Sequence, residues 1–203
     1  MSRRWIAEGR REYYHRLAKE QGFRSRAAFK LRQLNERFGF FEKAKYVLDL
    51  GAAPGGWLQV ASEAVGEDGL VVGVDLRRIR PLGLKNVRAL VGDVTDEETR
   101  NKIARMFPER VDVILSDMAP NVSGVWEVDH LRQIDLARVA LNLASTILKP
   151  DGWVVLKTFQ GPDYERFIEE VRAAFTFVKV FKPRATRKES AEIYVVAHGI
   201  RTS

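Results

Sequence analysis

From Tyr46 onward the chain alternates short, β-branched apolar runs that stop at Asp or Gly with longer segments of helical periodicity, a rhythm few architectures accommodate. The runs are Tyr46–Leu50, Leu70–Leu76, Val87–Val91, Val111–Leu115, Trp153–Leu156, Phe177–Phe181 and Ile193–Ala197. Several are continuously apolar rather than alternating, as expected of strands covered by helices on both faces. Between them Asp129–Leu148 is the clearest helix. Asp129 offers an N-cap, Leu131, Ile134, Leu141, Ala144 and Leu148 share a broad face, and Lys149-Pro150-Asp151-Gly152 ends it. The alternation predicts an α/β fold with a doubly wound, mostly parallel seven-stranded sheet. Too little chain separates Phe181 from Ile193 for a long helix, so the last two strands are expected as an antiparallel hairpin at one end of the sheet. Such sheets bind ligands at the carboxyl ends of their strands, which directs attention to the residues closing each run.

The 203 residues suffice for one substantial core, so residues 1–203 read as a single domain. No apolar run approaches the roughly eighteen residues of a membrane span. The first twenty residues carry charges throughout, unlike a secretory signal, and a cytoplasmic protein is expected. Cysteine is absent, which removes disulfides, thiolate nucleophiles and thiolate-bound metals, and His15, His130 and His198 lack metal-ligand spacing. No metal is expected. Of the formal net charge of +7, residues 1–45 supply more than the whole, with thirteen Lys/Arg against five Asp/Glu. Such a segment is either a solvated basic arm or a surface for a polyanion, and phosphate neutralisation favours nucleic acid. Residues 10–37 read as helical, interrupted at Gly22, with a cap at Ser25.

Asp49-Leu50-Gly51-Ala52-Ala53-Pro54-Gly55-Gly56 follows the first run and leads into a helix beginning near Trp57. Glycines there let the backbone approach a ligand, and a helix N-terminus favours an anionic group. A dinucleotide loop needs G-x-G-x-x-G so that amides reach a pyrophosphate. Here the spacing differs, Pro54 has no N–H, and no Gly-Lys-Ser/Thr follows to make a phosphate-binding loop. A ligand with a carboxylate and an ammonium but no phosphate fits better, with Asp49 near its cationic end, and S-adenosylmethionine is such a ligand. Asp75 closes the second run, where it can accept both hydroxyls of a ribose. Asp93 follows the third, where it can accept from an adenine amino group. Each is alternatively a turn or helix cap, and Trp57 is either a packing aromatic or a wall of the pocket.

The fourth and fifth runs end in Ser116-Asp117-Met118-Ala119-Pro120-Asn121 and Leu156-Lys157-Thr158-Phe159-Gln160-Gly161, facing one cleft. A lysine at a strand end is costly to bury unless paired, so Lys157 reads as one half of an ion pair with Asp117, structural or catalytic. Taken with Ser25-Arg26-Ala27-Ala28-Phe29-Lys30-Leu31, the Asp49–Trp57 loop and Ser190-Ala191-Glu192-Ile193-Tyr194, these segments resemble, in order, the motifs of the FtsJ/RrmJ family of RNA ribose 2′-O-methyltransferases. The resemblance covers nearly the whole chain and implies a Rossmann-like methyltransferase fold. It also implies that Lys30, Asp117, Lys157 and Glu192 stand at the family's Lys-Asp-Lys-Glu tetrad, and Gly55, Trp57, Asp75, Asp93 and Asp117 at its cofactor contacts. Glu189 competes with Glu192, but Glu192 directly precedes the strand, as the family's glutamate does.

The residue types suit that reaction. A ribose hydroxyl is a weak nucleophile, so its attack on a sulfonium methyl needs its proton removed or its oxygen oriented. Lys157 is expected to do this, positioned by Asp117 within a frame completed by Lys30 and Glu192. RNA contact is expected from Arg3, Arg4, Arg10, Arg11, Arg16, Arg24, Arg26 and Arg32, with Lys182, Arg184, Arg187 and Lys188 on the opposite rim. Trp5, Tyr13 and Tyr14 either stack on bases or anchor the arm. Within the family the compact chain is most similar to the branch acting on a uridine of large-subunit ribosomal RNA, with the tRNA anticodon-loop branch as alternative. An amino-group methyltransferase would explain Asp117-Met118-Ala119-Pro120 but puts Asn121 where a stacking aromatic belongs and leaves both lysines without a role. A non-catalytic RNA-binding assembly module would not need the tetrad.

Overall fold

The computed structural model describes the backbone of residues 3–201, with side chains from residue 12 onward. A seven-stranded sheet is built from β1 (Tyr46–Leu50), β2 (Leu70–Asp75), β3 (Val87–Val91), β4 (Val111–Ser116), β5 (Leu148–Phe159), β6 (Phe175–Phe181) and β7 (Glu192–Ile200), in the order β3-β2-β1-β4-β5-β7-β6. The first five pair in parallel, and β7 is antiparallel to both of its neighbours. The helices are α1 (Arg3–Glu20), α2 (Ala27–Phe38), α3 (Gly56–Val65), α4 (Glu97–Met106), α5 (Trp126–Ile147) and α6 (Tyr164–Ala174).

Successive strand residues point to opposite faces, and here both faces are covered. Leu48, Val72, Ile114, Val154 and Val195 pack with Ile103 of α4, Ile134 and Ala140 of α5, and Phe167 and Val171 of α6. Their chain neighbours Val47, Val71, Val113, Val155 and Val196 pack on the other side with Leu31 and Leu34 of α2 and Leu58 and Ala61 of α3. That double burial is why the strands read as unbroken apolar runs.

The β6–β7 hairpin closes one end of the sheet as expected, with β7 inserted between β5 and β6 and β6 at the edge. Residues Ile193–Ala197 are all buried and require a place between two strands, whereas β6 mixes buried and exposed positions and tolerates the edge. Two details differ from the expectations. Asp129 does not cap α5, which begins three residues earlier. Its carboxylate instead reaches back to accept from the Ser123 amide at 2.7 Å, the Ser123 hydroxyl at 2.8 Å and the Gly124 amide at 3.2 Å. Ser25 makes no cap bond to α2. A side chain at Gly56 would come within 2.3 Å of its Oγ, so the start of α2 is seated directly on the start of α3.

Leu34 is fully buried on the face that docks α2. Leu34→Ala is expected to lower unfolding free energy by about 2–5 kcal/mol, read from the midpoint of urea denaturation.

Candidate active site

The carboxyl ends of β1 to β4 are stitched together by main-chain bonds. The Gly51 and Ala52 amides donate to the Val74 carbonyl at 2.9 and 3.1 Å, Gly92 donates to Asp75 at 3.1 Å, and Asp117 donates to Leu50 at 3.0 Å. Gly51 has φ of +78°, and a Cβ there would lie 2.8 Å from the Met118 nitrogen, so only glycine lets β1 turn away this close to β4. Beyond these ends opens a cavity of about 640 Å³, lined in part by Gly51, Asp75, Asp93, Asp117, Met118 and Asn121. That volume falls within the range of small-ligand sites.

The acidic residues around it are in different states. Asp75 accepts from the Ala53 amide at 2.9 Å and the Arg77 amide at 2.8 Å, which ties the Ala52-Ala53-Pro54 turn to β2. Asp93 takes both its bonds, from the amide and hydroxyl of Thr95, on Oδ1, and these hold its carboxyl below the usual range. Asp49 is fully buried with neither oxygen hydrogen-bonded. Burial, then the negative charges of Asp117 and Asp75, push its carboxyl well above the usual range. Gly55 and Trp57 lie outside the lining of this cavity. Trp57 donates its indole N–H to the Ala27 carbonyl at 2.8 Å and packs against Tyr194, with ring centres 5.8 Å apart, so its ring bridges α3 to the start of α2.

Beside the cavity, α2, β4, β5 and β7 bring four charged side chains together. Lys30 and Lys157 are 8% and 6% exposed, burial that ammonium groups tolerate only when paired. Lys157 Nζ donates to the Asp117 carbonyl at 2.6 Å and lies 3.2 Å from its carboxylate. Lys30 Nζ lies 2.6 Å from Glu192 Oε1. Tyr194 joins the pairs: its hydroxyl donates to Asp117 Oδ1 at 2.8 Å, lies 3.2 Å from Glu192 Oε1 and accepts from Lys30 at 3.5 Å. Burial, then Asp117 and Glu192, keep this phenol protonated far into the alkaline range. At Asp117 burial works against ionisation, yet Lys157, Lys30 and the Tyr194 hydrogen bond outweigh it and hold the carboxyl below the usual range. Glu192, not Glu189, is the partner of Lys30, and it also accepts from the Thr186 hydroxyl at 3.2 Å. Both glutamates line a neighbouring cleft of about 430 Å³ with Arg26, Lys30 and Arg187.

Two participants were missed in the sequence. Tyr194 stands two residues after Glu192 on a strand, hence on the same face, a period-two relation that could have identified it. Gln133, buried in α5, donates to the Met118 carbonyl at 3.2 Å and the Lys157 carbonyl at 2.9 Å, clasping the ends of β4 and β5. Its signal was a polar residue next to Ile134 on the apolar face of the helix.

The basic surface divides by role. The side chains of Arg3, Arg4, Trp5, Arg10 and Arg11 lie outside the described residues. Arg24 uses three of its five N–H donors on the carbonyls of Pro54, Arg80 and Pro81 and so braces the Ala52-Ala53-Pro54 turn. Lys182 donates to the carbonyls of Lys188 and Ser190, shaping its own loop, while Arg184, Arg187 and Lys188 are exposed. Tyr14 anchors α1 by packing on Phe29 and accepting from Gln33 at 3.1 Å, whereas Tyr13 is exposed.

Residues 23–200 match the family described as FtsJ-like methyltransferase. The ribosomal RNA large subunit methyltransferase E of Methanothermobacter thermautotrophicus is 48% identical over 201 residues, 99% of this chain and 95% of that protein. The protein of the same name from Methanococcus vannielii is 48% identical over 195 residues, 96% of this chain and 75% of its own. Among solved structures, one described as a ribosomal RNA methyltransferase of Plasmodium falciparum aligns with a TM-score of 0.77 at 26% identity, covering 88% of this chain and 98% of that one. A cavity of ligand size between acidic strand ends, and a match that spans the whole sheet, carry one conclusion: the chain belongs to the FtsJ-like methyltransferase family.

Proposed function

We propose that the chain transfers the methyl group of S-adenosylmethionine to a ribose 2′-hydroxyl of RNA in the cytoplasm, its acceptor a uridine of the large ribosomal subunit. The observation that carries this reading is the clamped Lys157: its amino group is held by both the carbonyl and the carboxylate of Asp117, the residue that also lines the cavity. The names of the archaeal relatives support large-subunit RNA as the substrate class.

The residues present fit the methyl donor. Asp117 and Asp75 lie close enough to add to the cost that burial imposes on ionising Asp49, and a ligand with sulfonium and ammonium charges would relieve that repulsion. Asp75 would accept from the donor's ribose hydroxyls and Asp93, through the oxygen it leaves free of Thr95, from the adenine amino group. Val74, Val94 and Met118 offer apolar walls to the ring, and Gly55 and Trp57 belong to the turn and helix start that frame the site. When bound, the donor supplies a methyl group already activated on sulfur, so the protein needs no covalent intermediate.

The work left to the chain is to position and deprotonate the acceptor oxygen. Lys157, with two of its contacts fixed by Asp117, directs its remaining capacity at the ribose hydroxyl and, as the neutral amine, would take the hydroxyl proton while the oxygen–methyl bond forms and the donor's sulfur–methyl bond breaks, the electron pair staying on sulfur. Tyr194 transmits the placement of Lys30 and Glu192 to Asp117, which keeps Lys157 from swinging. Residues 1–45 form a basic helical RNA-binding segment of the same single domain and hold the RNA backbone across the cleft.

Replacing Lys157 by Ala is expected to abolish methyl transfer to large-subunit RNA while cofactor binding persists. Lys157→Arg separates the two roles of the side chain. Guanidinium keeps the charge and the donors but does not give up a proton, so activity is lost if Lys157 accepts the proton and survives if it only orients.

Asp117, ionising below the usual range, contributes stability that is complete above its unfolded-state value of about 3.9 and is lost as pH falls through its lower folded-state value. Urea-unfolding stabilities of the wild type and Asp117→Asn should therefore differ at neutral pH and converge below about pH 4. Neutralising Arg3, Arg4 and Arg10 is expected to weaken RNA binding and flatten its salt dependence, by about 0.7 in log–log slope for each single-strand phosphate that an arginine no longer neutralises, measured by salt titration.

A further inference from the structure

α5 opens on an aromatic ring left in solvent. Trp126 is 44% exposed, and Val122, Val125 and Leu131 near it are exposed as well. The surface is fixed in place: Asp129 holds the amides of Ser123 and Gly124, and the Ser123 hydroxyl accepts from the Val125 amide at 3.2 Å. The indole stacks on Phe159, with centres 5.9 Å apart and planes at 22°, and on His130, at 6.0 Å and 28°. His130 is buried and accepts from the Asp163 amide at 3.1 Å, so this support is itself anchored.

The position of the stack identifies its occupant. Phe159 ends β5, two residues beyond Lys157, and is paired with Glu192 in the β5–β7 ladder. The aromatic step therefore begins where the charged cluster ends, so a strand bound at that cluster has the indole as its next neighbour. Arg132, exposed and bonded to the Asn121 carbonyl at 3.4 Å, adds a cation at the same lip.

We propose that Trp126 is a stacking platform for an unpaired nucleobase flanking the acceptor ribose. The inference rests on the reading of the chain as an RNA methyltransferase and adds a base-binding subsite to it. Bringing a ribose hydroxyl to a buried lysine requires the RNA strand to be splayed, which strips neighbouring bases of their stacking partners. A rigid exposed indole replaces one of them without regard to sequence, because every base has a flat face.

The test compares wild type, Trp126→Ala and Trp126→Phe for binding of a fluorescein-labelled single-stranded RNA by anisotropy, S-adenosylmethionine binding by calorimetry, and thermal unfolding. Trp126→Ala should weaken RNA binding by about 5- to 100-fold, and Trp126→Phe should restore most of it. Cofactor affinity and the salt slope should stay at wild-type values, because the indole neutralises no phosphate. Unchanged RNA affinity in Trp126→Ala overturns the proposal and leaves the patch to a protein partner. A loss of RNA binding matched by losses of cofactor affinity and thermal stability also overturns it, since the ring would then be packing alone. RNA binding is read apart from methyl transfer, so a wild-type protein that binds RNA without methylating it refutes the functional reading and not the platform.

Discussion

Two ammonium groups buried within one cluster impose the strictest condition in this molecule. Taking a charge out of water costs several kcal/mol even after relaxation, and the cost is met only by partners in good geometry. Lys30 needs Glu192 and Lys157 needs Asp117, so α2, β4, β5 and β7 must arrive together or leave a charge stranded. These partners come from the two ends and the middle of the sequence. The condition therefore acts on the whole topology, and the sheet order is the arrangement that satisfies it. Tyr194, fully buried and keeping its proton, makes one unit of what would otherwise be two separate pairs.

The same strand ends serve two tasks without merging them. The ends of β1 to β4 frame a cavity for a small ligand, and those of β4, β5 and β7 hold the charged cluster. Asp117 belongs to both, lining the cavity while its carbonyl and carboxylate grip Lys157. Gly51 keeps the two regions close by letting β1 and β4 approach to main-chain contact. Gln133 fixes the spacing from the other side of the sheet, so the cluster is braced by a helix that contributes none of its charges.

Much of this was legible in the chain. The central strands were placed because burial on both faces writes itself as unbroken apolar runs, the partly exposed β3 and β6 by their β-branched and aromatic residues, and Lys30, Asp117, Lys157 and Glu192 stood out through the order of motifs shared with the family. What escaped depends on relations that local pattern does not encode. The insertion of β7 between β5 and β6 follows from comparing the burial of two strands, not from either strand alone. Asp129 reads as a cap by residue type, but its partners lie upstream because α5 begins at Trp126. Trp57 carries a hydrogen bond to the Ala27 carbonyl at the start of α2, far from it in sequence. Arg24 looks like one more basic residue until its guanidinium is found among three carbonyls. Tyr194 was hidden by its aromatic character, which in a strand suggests packing before chemistry.

The place of β7 ties closure of the sheet to completion of the charged cluster. This strand follows every other in sequence yet sits inside the sheet, hydrogen-bonded to β5 on one side and β6 on the other. While the chain emerges, the edge of β5 is open and Lys30 has no carboxylate to meet. An unpaired apolar edge of that kind is an invitation to pair with another chain. Arrival of residues 192–200 closes the edge and delivers Glu192 and Tyr194 in the same event. Until β7 docks, the β5 edge stays open and the cluster lacks both Glu192 and Tyr194, so sheet closure and completion of the cluster are one event.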